Sequence, residues 1–239
     1  MSRNATARRY SYNNHNSIGS KFIHKDFSKT NSYHSNFSDV LFQNTAFIGS
    51  KIKFFSFFGA VFDNCYIRGA LFRGCNLGNA VFKNSIISAT FFDKCKIKGC
   101  KFENCKIIAS SKLQNLLPSE NFIETEIFQT YPDVNIFSQE LIDIIELLRG
   151  NEFIRRSSIL HRKKNKIDTV SLKVLVERFG EKFLINNLSK LPGIINKQFH
   201  TLSYIIYFLQ KIHECDINEF PGPAALGAPK LTNDCLSTD

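Results

Sequence analysis

Two five-residue segments decide the fold: Ala70-Leu71-Phe72-Arg73-Gly74 and, ten residues later, Ala80-Val81-Phe82-Lys83-Asn84. Each begins with a small residue, has a large apolar residue at its centre and ends in Gly or Asn. The spacing continues outward from both segments. Every fifth residue is apolar with one exception, Ser32, through Phe22, Phe27, Ser32, Phe37, Phe42, Phe47, Ile52, Phe57, Phe62, Ile67, Phe72, Leu77, Phe82, Ile87, Phe92, Ile97, Phe102 and Ile107.

A period of five fits neither an α-helix, which repeats every 3.6 residues, nor a β-strand, which repeats every two. The backbone must instead turn a corner once in every five residues. Gly and Asn permit such corners because they tolerate positive φ, and they recur two residues after the centres. The small residues lie two positions before the centres, as Ala60, Cys65, Ala70, Cys75, Ala80, Ser85, Thr90, Cys95, Cys100 and Cys105.

This pattern resembles that of the pentapeptide-repeat family, Ala-(Asp/Asn)-(Leu/Phe)-x-x, although both quoted segments have an apolar residue at the second position. The resemblance runs from about Ser20 to Ala109, less than half of the chain. It implies four pentapeptides per coil, so residues 20 apart stack in columns. We therefore predict a β-solenoid, a right-handed quadrilateral pentapeptide-repeat β-helix, followed by a C-terminal α-helical domain.

The remainder of the chain is divided by composition and by helix-capping signals. Ser138 and Asp168 are suited to begin helices, and Gly150 and Gly180 to end them. The segment 219–231 is rich in Pro, Ala and Gly, and its Glu-Phe, Pro-Gly and Lys-Leu pairs are typical of translated cloning sites. The predicted organisation is a flexible basic arm (1–19), the β-helix (20–109), a linker (110–136), the α-helical domain (137–218) and a disordered or cloning-derived tail (219–239).

The columns explain the unusual composition, which includes 24 Phe and no Trp. One column has phenylalanine in every coil, and such a ladder fills one inner wall: Phe22, Phe42, Phe62, Phe82 and Phe102. Cys75 stacks on Cys95, close enough in adjacent coils for a disulfide. Reduced thiols acting as small fillers are the favoured interpretation. Three cysteines lie on successive walls and should not converge on a metal ion: Cys95, Cys100 and Cys105.

Outward-facing positions supply the candidate interaction surface. The run Lys53–Gly59 is irregular, because Phe55 occupies a position that is small elsewhere, and it predicts a bulge with Phe54 and Phe58 directed outward. Apolar residues also recur just before the centres. We predict that the chain's own helices cover them, or else a partner or a second copy. The predicted surface comprises Leu41, Val61, Val81, Tyr66, Leu71, Phe91, Phe54 and Phe58.

Charge provides a second candidate. The net charge is +10, and residues 20–110 contain 13 Lys and Arg against five Asp and Glu, whereas residues 111–219 contain 14 of each. Within the balanced half lies a basic cluster that predicts contact with phosphates, its alternative being a solvated loop: Arg155, Arg156, Arg162, Lys163, Lys164 and Lys166.

Known catalytic motifs are missing from the sequence: it has no Walker lysine loop, Gly-x-Ser-x-Gly, His-Glu-x-x-His or Cys-x-x-Cys. We therefore predict that the protein is not an enzyme and that it uses no cofactor and no metal. No apolar run is long enough to cross a bilayer, and the N-terminal residues do not resemble a secretory signal, so we predict cytoplasmic residence without a membrane span.

The leading prediction for function is a non-catalytic scaffold or binding module with a protein partner or a homodimer, because a solenoid presents extended flat surfaces. The family resemblance implies a first alternative, a DNA gyrase- or topoisomerase IV-interacting protein of the quinolone-resistance type. Such duplex mimicry requires an acidic rod, whereas this rod is basic. The further alternatives are nucleic-acid binding and an accessory role in a bacterial effector or phage-defence system.

Overall fold

The computed structural model describes residues 11–110, 113 and 115–219, with side chains up to Glu214. These residues form two compact units. One extends to Asp133 and includes His200–Leu202, and the other contains Val134–Phe199 and the residues from Ser203 onward. Residues 1–10 of the predicted arm and the predicted tail from 220 onward lie outside the described residues.

The first unit is built from three-residue strands, with one strand of two residues. In chain order these are β1 (Lys21–Ile23), β2 (Asn31–Tyr33), β3 (Leu41–Gln43), β4 (Ala46–Ile48), β5 (Lys51–Lys53), β6 (Val61–Asp63), β7 (Tyr66–Arg68), β8 (Leu71–Arg73), β9 (Val81–Lys83), β10 (Ile86–Ser88), β11 (Phe91–Asp93), β12 (Lys101–Glu103), β13 (Lys106–Ile108), β14 (Phe122–Ile123) and β15 (Glu126–Phe128).

Parallel pairing with a 20-residue register arranges these strands into a solenoid of about five coils. Wall 1 contains β1, β3, β6, β9, β12 and β14, wall 2 contains β4, β7, β10, β13 and β15, and wall 3 contains β2, β5, β8 and β11. Wall 4 is held by single bridges such as Asn36↔Ser56 and Asn76↔Lys96. Pairs such as Phe62↔Phe82 and Ile67↔Ile87 confirm the predicted four repeats per coil.

The corners between walls fall where the sequence predicts them. Every fifth residue from Asn14 to Ala109 has positive φ, and Gly or Asn occupies many of these positions. The corners also accept other residues, since Ala89 has φ 47° and Phe54 has φ 58°. The backbone of the neighbouring coil holds these residues in a left-handed conformation that most side chains avoid.

Stacked aromatic rings fill the interior. The predicted phenylalanine ladder is present on wall 1, with ring centroids 4.8 Å apart for Phe42–Phe62, 4.5 Å for Phe62–Phe82 and 4.8 Å for Phe82–Phe102. Phe122 extends it by a further 5.3 Å step. Because the ring spacing matches the spacing of adjacent strands, each coil can present the same side chain to the next.

The predicted bulge at Phe55 is wrong. The bridges Asn36↔Ser56 and Ser56↔Asn76 keep the 20-residue register on either side of it. Phe55 is buried and stacks on Phe37, with ring centroids 5.3 Å apart. Phe55 and Ser32 line the same small cavity, of about 10 Å³. The small polar centre Ser32 therefore leaves space beside it that the large Phe55 side chain partly occupies.

Both ends of the solenoid lie beyond their predicted limits. At the start, Asn13 and Asn16 already bridge to the next coil, and the Tyr12 ring packs 5.2 Å from Phe37, so residues 11–19 are not a flexible arm. At the other end, β14 and β15 continue walls 1 and 2 inside the predicted linker 110–136. Apolar residues at the repeat positions explain both corrections, since Phe122 and Ile127 lie 20 residues after Phe102 and Ile107.

The second unit is mainly helical. Its elements are α1 (Gln139–Leu148), α2 (Glu152–Ser157), the hairpin strands β16 (His161–Arg162) and β17 (Lys166–Ile167), α3 (Thr169–Phe179), α4 (Glu181–Asn187), α5 (Leu191–Ile194) and α6 (Leu202–Glu219). Short 3-10 turns occur in it at Val134–Ile136 and Leu188–Lys190, and the first unit has one at Ser119–Asn121. None of the helices described is both long and apolar enough to cross a membrane.

Side-chain caps set the helix boundaries of this unit. The Ser138 hydroxyl accepts from Leu141 N at 3.3 Å, and the Asp168 carboxylate accepts from Ser171 N at 3.1 Å, as the capping signals predict. Asn151 caps α2, which ends at Ser157 because Ser158 adopts a left-handed conformation. A leucine- and isoleucine-rich core is fully buried between the helices, including Leu141, Ile145, Leu172, Leu184 and Leu209.

Candidate interaction surfaces

The cysteines of the solenoid act as hydrogen-bonding fillers. All five, from Cys65 to Cys105, are free thiols. Cys65 Sγ donates to Phe42 O at 3.4 Å, and Cys105 Sγ donates to Phe82 O at 3.3 Å. Between them in the same column, Ser85 Oγ donates to Phe62 O at 3.1 Å. A thiol therefore replaces a hydroxyl that bonds to a backbone carbonyl one coil earlier.

Three of these thiols are also poor nucleophiles, because burial keeps them protonated. Burial raises the pKa of Cys100 and of Cys105 to about 12, and burial likewise raises the pKa of Cys65. A hydrogen bond between Cys75 and Cys95 raises the pKa of the first and lowers that of the second. Since the thiolate is the reactive form, buried protonated thiols have a structural role. Among the residues described, no group of three or more His, Cys, Asp or Glu is placed to hold a metal ion, and the absence of metal and cofactor stays a prediction.

The predicted apolar residues lie on three walls with different exposure. Leu41, Val61 and Val81 form one half-buried column on wall 1. Tyr66, on wall 2, is buried with 1% of its surface exposed. On wall 3, Leu71 pairs with Phe91, which is 63% exposed. They do not form one continuous exposed surface, and the cover predicted for them stays a prediction.

Phe54 and Phe58 point outward without a bulge. They are 50% and 45% exposed, and they flank wall 4 of one coil. Each ring lies over a glycine of the next coil. A Cβ added to Gly74 would meet ring atoms of Phe54 at 2.7 and 2.8 Å, and one added to Gly78 would meet Phe58 at 3.2 Å. The glycines thus leave room for both rings to lie against the wall.

Ion pairs between adjacent coils neutralise several basic residues of the solenoid. Arg73 Nε lies 2.6 Å from Asp93 Oδ2, Lys83 Nζ lies 3.2 Å from Glu103 Oε2, and Lys106 pairs with Glu126. Each partner is 20 residues further on, so the pairs run along the columns. The first two pairs are partly exposed, and each contributes roughly 0–1 kcal/mol to stability, whereas Lys106 of the third pair is buried.

Among the basic residues that these pairs do not neutralise, three lysines lie together on one wall, and the sequence analysis missed them. Lys94, Lys96 and Lys98 are exposed on wall 4 and its corner, and none has an ion pair with any residue that the structure describes. In the preceding coil their columns contain Gly74, Asn76 and Gly78. Two coils back, the outer columns contain Phe54 and Phe58. Reading the sequence at intervals of 20 and 40 would have found this juxtaposition.

The predicted basic cluster surrounds the hairpin of the helical unit. Lys163 and Lys164 are exposed at its tip, where Lys164 and Asn165 have positive φ, and Lys166 is exposed on β17. Two other members are engaged, since Arg156 pairs with Glu152 at 2.7 Å and Arg162 Nε donates to Ile167 O at 3.0 Å. Arg155 is exposed on α2. The cluster is therefore partly neutralised.

A buried histidine anchors the same hairpin. His161 Nε2 lies 2.8 Å from Ile145 O, and no hydrogen-bond partner of Nδ1 lies among the described residues. Burial lowers the pKa of His161. The neutral ring thus donates one hydrogen bond within the core. Because the acceptor is a backbone carbonyl and not a titratable side chain, the arrangement is structural.

Short parallel strands, left-handed corners at every fifth residue and stacked apolar centres define the first unit as a pentapeptide-repeat solenoid. Comparison with protein families agrees: the profile described as pentapeptide repeats matches residues 60–104, in 8 copies. Registers observed on both sides of this range show that the same repeat continues through the solenoid. No curated protein sequence matches the chain.

Solved structures of other pentapeptide-repeat proteins are similar to this chain. One from the Arabidopsis thaliana thylakoid lumen is 21% identical over 37% of this chain and 65% of its own, with a TM-score of 0.26. Rfr23 from the cyanobacterium Cyanothece 51142 is 19% identical over 42% of this chain and 65% of its own (TM-score 0.19). The plasmid-mediated fluoroquinolone resistance protein QnrB1 is 13% identical over 49% and 92% (TM-score 0.20). The chain thus spans less than two thirds of the first two proteins.

Proposed function

We propose that this chain is a non-catalytic binding module in which the solenoid presents side chains to a macromolecular partner. The observation that carries the proposal is the exposure of large aromatic side chains on a regular, closely packed rod. Phe54, Phe58 and Phe91 leave about half or more of their surface in solvent although the interior accepts phenylalanine in many columns. Removing apolar surface from water favours association by about 25 cal/mol per Å².

The rod is suited to this role because its backbone is fixed by its own neighbours. Each coil bonds to the coils before and after it, as when Phe57 N donates to Asn76 O at 2.7 Å and Asn76 N donates to Phe55 O at 2.8 Å. Side chains on such a frame lose little backbone freedom when a partner binds, and this lowers the entropic cost of association.

Site-specific photo-crosslinking tests the proposal. A photoreactive phenylalanine analogue is placed at 54, 58 or 91 in the full chain, in cells that produce the protein. Ile123, which is 43% exposed at the far end of wall 1, is the matched control position. We expect a covalent adduct of discrete mass from at least one of the three positions and none from 123. The proposal is overturned if no position gives an adduct, or if all four give the same mixture.

The surface charge does not favour the gyrase-type alternative. With 13 Lys and Arg against five acids over residues 20–110, the solenoid lacks the acidic surface that duplex mimicry requires. A supercoiling assay with and without a quinolone tests that alternative directly. The partner's identity, a homodimer, a role in an effector or defence system and cytoplasmic residence stay predictions.

A further inference from the structure

The surface formed by Phe54, Phe58, Lys94, Lys96 and Lys98, here called the aromatic–lysine face, places two half-exposed aromatic rings beside three exposed lysines. Phe54 and Lys94 belong to one column along a corner of wall 4, and Phe58 and Lys98 belong to a parallel column on that wall. Two coils separate the rings from the lysines, a distance of about 10 Å. The rings lie over Gly74 and Gly78 in the coil between, and this directs them toward the lysines.

The rings are held in place rather than freely rotating. Phe54 stacks on His34 with centroids 4.9 Å apart and ring planes 15° apart, and its ring also lies against Gly74 of the next coil. Its backbone is in the left-handed region at φ 58°, where a bulky residue is an outlier. Stability alone would favour Asn or Gly at this corner. A strained, half-exposed aromatic residue is a feature that points to a contact surface.

The lysines carry positive charge that the protein does not neutralise itself. Asp93, next to Lys94 in the sequence, is already paired with Arg73 at 2.6 Å. Asp39 lies on the next corner of the solenoid, where its carboxylate faces Gly59. Within the described residues the lysines of the face therefore form no ion pair, so they are available to an external anion.

We infer that the aromatic–lysine face binds single-stranded nucleic acid. The exposed part of the Phe58 ring accepts an unpaired base by stacking, and Phe54, packed between His34 and Gly74, adds an exposed ring edge. A neighbouring row of cations neutralises the phosphates of the same strand. A duplex cannot stack on the rings because its bases are paired inside the helix. The inference rests on the proposed function and names the class of partner.

Fluorescence anisotropy with labelled single-stranded oligo-dT and oligo-U, added to the full chain over a range of salt concentrations, tests this inference. If three phosphates are neutralised, the logarithm of the affinity should fall with the logarithm of salt with a slope of about −2 from this face. The triple variant Lys94→Asn, Lys96→Asn, Lys98→Gln should reduce the slope by that amount. Asn suits positions 94 and 96, because corners and the wall 4 column already contain Asn.

Two further variants separate stacking from charge. Phe58→Ser should weaken binding about fivefold or more with the salt slope unchanged, because stacking on its ring is lost. Phe54→Asn should weaken binding less, because only an exposed ring edge is removed. The matched control is Lys21→Gln, Lys25→Gln, Lys29→Gln, which removes three exposed lysines of the first coil. It should leave the affinity within about twofold. Circular dichroism verifies that each variant is folded.

Several results would overturn the inference. Equal weakening by the two triple variants would mean that net charge alone attracts the oligonucleotide. Unchanged binding by Phe54→Asn and Phe58→Ser would exclude stacking, and equal competition by duplex DNA would exclude single-strand recognition. Absence of oligonucleotide binding together with a protein crosslinked at 54 or 58 would overturn this inference and keep the proposed function. Absence of oligonucleotide binding and of any adduct at 54, 58 and 91 would overturn both.

Discussion

The solenoid and the helical unit differ in the sequence separation of the hydrogen bonds that fix their backbones. In the solenoid, hydrogen bonds join residues about one coil apart, as when Leu77 N donates to Lys96 O at 2.7 Å and Lys96 N donates to Cys75 O at 2.9 Å. In the helical unit the decisive bonds are local, such as the Asp168 cap on Ser171 N at 3.1 Å. A coil therefore depends on its two neighbours, whereas a helix boundary depends on residues a few positions away.

The largest loss of stability should come from a substitution in the aromatic ladder. Phe62→Ala removes a ring stacked at 4.8 Å on Phe42 and at 4.5 Å on Phe82. We expect the free energy of unfolding of the solenoid to fall by about 3–5 kcal/mol, because the neighbouring coils cannot close the cavity. Urea unfolding monitored by near-UV circular dichroism measures it. Phe91→Ala, on the exposed surface, should lower the free energy of unfolding by about 0.5 kcal/mol or less. Equal losses for the two variants would contradict a stabilising role of the aromatic ladder.

The two units should also lose stability at opposite ends of the pH scale. In the solenoid, burial raises the pKa of Cys100 and Cys105 to about 12, while the unfolded chain releases these protons from about pH 9. Stability is therefore complete below pH 9 and falls as pH rises toward 12, by about 1.4 kcal/mol per thiol per pH unit. Cys100→Ala with Cys105→Ser should flatten this dependence in urea titrations. An equally steep dependence in that variant would exclude Cys100 and Cys105 as its cause.

In the helical unit the effect has the reverse sign. Burial lowers the pKa of His161, so the folded form holds the ring neutral. Its contribution to stability is complete above the unfolded pKa of about 6.5 and is lost as pH falls below that value. Unfolding followed by the helical circular dichroism band at pH 7 and pH 5 measures it. His161→Gln should remove the part of the change that exceeds the effect of the carboxylates.

A smaller difference concerns glycines with positive φ. Gly180, between α3 and α4, has φ 77° and ψ 151°, a region that side chains scarcely enter, so Gly180→Ala should cost about 1–3 kcal/mol. Gly69, at a solenoid corner, has φ 59° and open space where an alanine methyl group would lie, and the corners Ala89 and Ala109 already hold alanine. Gly69→Ala should therefore cost about 1 kcal/mol. Thermal unfolding of both variants compares them, and the reverse order would contradict the account of the corners.

The smallest effect should be that of Cys65→Ser. Thr45 and Ser85 occupy the same column and already donate a hydroxyl to a carbonyl of the previous coil, at 3.0 and 3.1 Å. Serine at 65 can make the same bond to Phe42 O, so we expect a change in unfolding free energy of about 1 kcal/mol or less. Cys65→Val fills the space without donating and should cost more. A large loss for serine would show that the thiol is more than a filler.

The two units also differ in how much of their structure could be predicted from the sequence. Periodicity predicted the walls, the corners and the ladder because each repeat adds the same information in one register. Periodicity did not predict the last coil, because the segment from Ser110 to Pro118 interrupts the pattern. Phe122 and Ile127 nevertheless return to the five-residue spacing. Periodicity also misjudged Phe55, because the compensating Ser32 lies 23 residues away and their shared cavity requires three-dimensional packing.

The candidate surfaces were less predictable. Phe54 and Phe58 could be recognised as outward-facing from the repeat alone. Their relation to Lys94 and Lys98 needed the columns, since 40 residues of sequence separate the members of each pair. Exposure was harder to predict than direction: Tyr66 and Phe91 occupy equivalent positions in their repeats, yet one is buried and the other is 63% exposed.

The 20-residue register has a consequence for insertions and deletions. Removing a whole coil, for example residues 62–81, keeps every remaining residue in its column, whereas removing a single pentapeptide shifts all later residues to the next wall. Removing one residue displaces the centres from the interior altogether. The length of this rod can therefore change only in steps of one coil. The coils containing Ser32 and Phe55 are the exception, because losing either one alone leaves a void or a clash.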